Sequence, residues 1–199
     1  MYTLVENNSI TKYFSYPKGF TLGDNQYPAD IFMKWSVSEK EAIGIYEVVF
    51  DNSNKKDEQW YINTNQSFAF ADGTVTASYG TATAKAHADR NGTDEDGVEL
   101  NPVVVIEGLK TTLIRTLKQQ VAGILSNTDW YITRNAEKST AIPSAISTHR
   151  DAVRTKQASM ETAITNASNT PALETLYTYT EQEDGTVTRP LGELPTLEI

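Results

Sequence analysis

The sequence predicts an α+β chain: a small antiparallel β-rich domain at the N-terminus, a helical hairpin of two longer helices and one short helix, and an extended C-terminal arm. Three observations predict it. Before about residue 88, short β-branched and aromatic runs alternate with turn residues, as strands do. After Pro102, apolar residues recur at spacings of three and four, the period of a helix face. Between them, Asp89 to Gly97 (DRNGTDEDG) has no apolar residue, five charges and two glycines, the composition of a solvated linker. The expected divisions are a β-rich domain over 1–88, an acidic Gly-containing linker over 89–101, a helical module over 102–168 and an extended arm over 169–199 that includes a hairpin.

Thr3 to Val5 and Ile10 to Phe14 flank Asn7 and Asn8, and because Asn tolerates positive φ this reads as a hairpin. Pro28 to Trp35 (PADIFMKW) fits either a helical turn or a strand. Ile43 to Phe50 and Trp60 to Ile62, separated by DNSNKKDEQ, and Thr74 to Tyr79, after the Asp72-Gly73 turn, read as a small antiparallel meander. Leu113, Leu117, Val121 and Ile124 then mark one helix. Asn127 and Thr128 offer capping groups for a short second helix from Asp129, whose carboxylate suits a helix N-terminus. Pro143 suits the first turn of a third helix, where Ile146, Val153, Met160 and Ala167 recur every seven residues and call for a partner helix. The last thirty residues hold Pro171, Pro190 and Pro195 and a hairpin-like stretch, LYTYTEQEDGTVTRPL, centred on Asp184-Gly185.

At 199 residues with 39% apolar content, the chain has room for only modest cores. Seventeen Lys and Arg against 26 Asp and Glu give a net charge of −9, which disfavours non-specific binding to nucleic acid or anionic lipid. The charge is uneven: residues 1–107 carry 8 basic and 16 acidic groups, residues 108–170 carry 8 and 4, and residues 171–199 carry 1 and 6. A basic middle between acidic flanks suits docking within the chain or onto an acidic neighbour as well as plain solvation. There is no cysteine, which excludes disulfides and thiol chemistry. The N-terminus lacks a signal-peptide pattern and no apolar run approaches a membrane span, so a soluble, unprocessed protein is expected.

The acidic cluster in DRNGTDEDG fails the EF-hand pattern, because counting from Asp89 the required Gly and Glu positions hold Asp94 and Leu100. His87 and His149 are the only histidines and complete no triad; His149 reads as a partly buried packing residue. No metal, cofactor or small-molecule substrate is expected, and no enzyme activity. The aromatic pairs are Trp60-Tyr61 and Trp130-Tyr131, whose rings suit either a core or a binding surface. Trp130 is expected to be the keystone holding the short helix against the longer ones. Arg134 and Glu137 are spaced for an ion pair, and Arg150 and Arg154, four apart, are placed to reach Asp129 or Glu137 as polar locks. On the arm, Leu176, Tyr177 and Tyr179 are expected to meet a partner.

Residues 123–164 resemble the C-terminal module of small phage tail proteins linked to tail fibres. The likeness rests on Thr128, Asp129, Trp130, Arg134, Pro143, Arg150, Val153 and Arg154, in a pattern of a leucine-rich helix, T-D-W, an Arg, a proline-opened helix and H-R-x-x-V-R. Tyr16-Pro17 and Tyr27-Pro28, after the first hairpin, also look like the family's start. The resemblance implies a structural subunit of a bacteriophage tail or baseplate that attaches tail fibres or other tail parts. It implies tail, baseplate or fibre proteins as partners, an oligomeric state in the particle, and location in the virion after assembly in the host cytoplasm. The alternatives are a tail-fibre assembly chaperone and a carbohydrate-binding module using Trp60 and Tyr61.

Overall fold

The computed structural model describes residues 1–197. The chain divides into two compact units, 1–83 and 84–199, and the mixed α+β class is as expected, with an antiparallel-rich sheet followed by helices.

In the first unit, β1 (Tyr2–Glu6) and β2 (Ser9–Phe14) form the expected hairpin, with Asn7 and Asn8 both at positive φ. A second hairpin, β3 (Phe20–Leu22) and β4 (Asn25–Tyr27), leads to the single helical turn α1 (Ile31–Lys34), which resolves the ambiguous PADIFMKW segment. Helix α2 (Val37–Glu41) opens on a capping box: Ser36 accepts from the Glu39 amide while the Glu39 carboxylate accepts from the Ser36 amide. Next come β5 (Ile45–Asp51), β6 (Tyr61–Ile62), β7 (Gln66–Ala71), β8 (Thr74–Tyr79) and β9 (Thr83–Ala84), the last spanning the division between the units.

The five-stranded sheet has the order β2-β1-β5-β8-β7. Its β5–β8 pair is parallel, which corrects the all-antiparallel meander. The physical reason is the connection: 52–73 is long enough to cross over, and β7 takes the edge as the antiparallel partner of β8, leaving β8 to return beside β5 in the same direction. Adjacent residues of a strand face opposite sides, so Leu4 joins Phe14, Phe20, Ile31, Phe32 and Ile45 in one core while Val5 joins Val48, Val75 and Ala77 in another. Gly44 turns the chain into β5 at φ +80, and a Cβ there would lie 2.5 Å from the Val5 carbonyl oxygen.

In the second unit, β10 (Arg90–Asn91) and β11 (Val105–Ile106) pair as a ribbon, extended by the Thr93–Glu99 bridge. The segment expected to be a linker is therefore an ordered excursion: Asp94 Oδ1 accepts from the amides of Asp96 and Val98, so its polar residues organise their own turn. Helix α3 (Leu109–Ser126) packs on α5 (Ser144–Asn166), with α4 (Asp129–Lys138) between them in sequence. The heptad positions Ile146, Val153, Met160 and Ala167 are all buried, and Leu117 and Val121 of α3 are buried with them.

The expected extended arm is instead folded. Asn169 caps α6 (Thr170–Tyr177) by accepting from the Ala172 amide, with Pro171 in the first turn. The expected hairpin follows as β12 (Thr180–Glu181) and β13 (Val187–Thr188), after which Leu191 is buried and its amide donates to Leu176 O at 3.0 Å. Among the described residues no helix is long and apolar enough to cross a membrane. Of the expected arm, Glu198 and Ile199 lie outside the described residues.

Candidate functional site

The α3–α4 corner gathers four of the singled-out residues: Arg150 reaches Asp129 as expected of a polar lock, while Trp130 and Arg134 take roles different from those expected. Helix α4 begins after Thr128, whose hydroxyl does not cap it. Thr128 Oγ1 instead donates to Leu125 O at 3.0 Å and accepts from Arg150 Nη1 at 2.6 Å. Arg150, 7% exposed, also donates to Leu125 O at 2.7 Å and pairs with Asp129 at 2.8 Å. One guanidinium thus ties α5 to the last turn of α3 and the first of α4, as a planar fork of donors is suited to do.

Trp130 is 51% exposed, which corrects its placement as a buried keystone. No residue of α4 is fully buried; the helix is held by the Arg150 contacts at its start and by half-buried Tyr131, so the indole is not needed as a wedge. Trp130 packs on Tyr131 with ring centroids 3.8 Å apart, and the Arg134 guanidinium lies over both rings, 4.7 Å from the Trp130 centroid, rather than pairing with Glu137. Arg134 Nε is buried without a hydrogen-bond partner. Arg154 does not reach the corner: it faces out from α5 and meets Asp151 at 3.5 Å, one turn back on its own helix.

Leu176, Tyr177 and Tyr179 belong to a separate cluster that fastens the tail. Arg189 lies over the Tyr177 and Tyr179 rings and pairs with Glu193, while the Tyr179 hydroxyl donates to Glu193 at 2.8 Å. That hydrogen bond pushes the Tyr179 phenol up, and burial pushes Tyr177 up. These groups contact the chain's own tail, contrary to their expected place on an outstretched arm.

Beyond the corner, Ile124, Trp130, Tyr131, Ile146 and His149 join tail residues Leu194 to Leu197 around a cavity of about 500 Å³. His149 is buried and makes no hydrogen bond or ion pair, so it fits the packing role expected of it while leaving its ring nitrogens unpartnered. Sequence reasoning missed this cavity because four of its eleven described lining residues come from the folded tail. The signal for that folding was present in N-T-P, a capping Asn and a first-turn Pro.

A second surface stands on the ribbon. Val103, Val104, Val105 and Ile106 are four consecutive apolar residues, 57%, 50%, 58% and 41% exposed, and Val98 near the tip is 61% exposed. Trp60, in contrast, is 4% exposed, so the carbohydrate-binding alternative loses the indole it was built on. Among the described residues no group of three or more His, Asp or Glu is placed to hold a metal ion. Fold and surfaces together define a two-unit α+β chain whose helical unit carries an exposed apolar ribbon and an apolar cavity. No family model, curated protein or solved structure matches it.

Proposed function

We propose that this protein works through contact surfaces, as a structural subunit of a bacteriophage tail or baseplate that attaches fibres or other tail parts. The observation that carries it is the run Val103–Ile106. The run, of which Val105 and Ile106 form β11, is apolar at every position, not at alternate ones, and all four side chains are exposed, while a two-stranded ribbon in water has little stability of its own. Covering these four side chains on a partner is favoured by roughly 25 cal/mol for each Å² removed from water. The acidic turn at Asp94, Glu95 and Asp96 marks one end of the ribbon, so a partner with a basic rim fits it best. The tail setting comes from the resemblance of residues 123–164, of which Asp129 and Arg150 are in contact.

Quantitative mass spectrometry of purified particles of a phage carrying this sequence tests the proposal. The expected result is a fixed stoichiometric ratio to the tail proteins, lost in Val104→Asp although that variant melts at the wild-type temperature. Absence from particles that nevertheless lose their fibres when the protein is deleted favours the assembly chaperone. Absence with intact fibres refutes both.

A further inference from the structure

The geometry points to a binding site for an apolar carboxylate, such as a medium-chain fatty acid, in the cavity between α4, α5 and the tail. At about 500 Å³ it falls within the ~300–1,000 Å³ usual for small-molecule pockets, and its walls are mostly apolar and aromatic, with Asn127, Thr128, His149 and Thr196 as the polar groups. Ile124, Ile146, Leu194, Pro195 and Leu197 supply the apolar wall, and Trp130 and Tyr131 the aromatic one.

Two independent features select the headgroup. His149 lines the cavity, its residue surface is 9% exposed, and its ring makes no hydrogen bond within the chain; its nitrogens are not among the sealed-off polar atoms, so they stay open to a hydrogen-bonding group in the cavity. The first turn of α4 lines the same cavity, and because the Thr128 hydroxyl is turned back to Leu125 O, no side chain caps its amides. An uncapped helix N-terminus favours an anion. Asp129, next to Thr128 in the chain, is held by Arg150 and does not line the cavity, and among the described residues the lining holds no acidic side chain. The sequence had suggested no small-molecule partner, because N-T-P announces α6 but not where Leu194 to Leu197 come to lie.

Isothermal titration of the full chain with decanoate and with decanol tests the site. One saturable decanoate site per chain is expected, with decanol about tenfold weaker, the ratio expected when a charged hydrogen-bond acceptor is removed. His149→Leu should abolish that preference while leaving decanol affinity within about twofold. Because a buried substitution can disturb folding, a second variant is used: Thr196→Trp, at the exposed rim of the cavity, should block both ligands with an unchanged circular dichroism spectrum. Failure of decanoate to saturate, equal affinity for decanol, or undiminished binding in folded Thr196→Trp each overturns the assignment.

Discussion

Replacing Arg150 with Ala tests whether the helical unit depends on the buried guanidinium. The side chain is 8% exposed and makes three contacts of unequal worth. Asp129 is 59% exposed, so once released it is solvated, and its half of the pair contributes little beyond the ~0–1 kcal/mol of a surface ion pair. Thr128, 3% exposed, keeps its bond to Leu125 O but loses the donor at 2.6 Å, and Leu125 O loses one at 2.7 Å. Half-buried Leu125 O keeps the Thr128 amide and hydroxyl as donors. Leaving the buried Thr128 hydroxyl short of its donor costs about 1–3 kcal/mol, and the lost packing of the aliphatic stem adds to it. The expected total is about 3 kcal/mol, read as a lower midpoint in urea unfolding followed by far-ultraviolet circular dichroism. Asp129→Asn should cost less than about 1 kcal/mol in the same assay. If Arg150→Ala costs under about 1 kcal/mol, or Asp129→Asn costs as much as Arg150→Ala, then the carbonyl and hydroxyl contacts do not hold the corner.

Three further outcomes follow from the structure. Trp130→Ala should lower stability by only about 1 kcal/mol, from lost ring and cation–π contacts, against the ~3–5 kcal/mol of a buried Trp; a calorimetric loss in the larger range would mean that the indole is enclosed in solution. Gly44→Ala should destabilise the first unit by about 2 kcal/mol or more, since a left-handed φ and a collision with the Val5 carbonyl add together, and an unchanged melting temperature would contradict that geometry. Hydrogen bonds from the Gly108 amide and the Thr111 hydroxyl hold the Asp89 carboxyl below the ordinary aspartate value. Because the folded value is the lower one, that contribution is complete above the ordinary aspartate range and is lost as pH falls through the depressed value. Protection factors at the start of α3, taken relative to the intrinsic exchange rate at each pH, should therefore fall in acid, and in Asp89→Asn they should be low already at neutral pH.

What was legible in the sequence was local. Asn7-Asn8, Asp72-Gly73 and Asp184-Gly185 each made a tight turn, because positive φ is a property of the residues themselves. The seven-residue recurrence from Ile146 to Ala167 found its buried face because helix period alone aligns those side chains. The capping box at Ser36 and Glu39 is a local pattern of the same kind that sequence reasoning missed. At the corner, the spacing placed Arg150 within reach of Asp129 but could not rank it above Arg154, since both look out from the same helix in sequence.

Tertiary structure decided the remainder. Whether β8 lies beside β5 or beyond it depends on which strand takes the sheet edge, a competition among distant segments. Whether the indole of Trp130 is covered depends on what else reaches α4, and a buried arginine reached it from α5. The tail's prolines and charges suggested extension, yet Leu191 and the Arg189–Tyr177–Tyr179 cluster hold it to the helices and so create the cavity around His149. Turns and helix periods are fixed by each residue's own backbone and neighbours, whereas burial belongs to pairs of surfaces that meet only after the chain has folded.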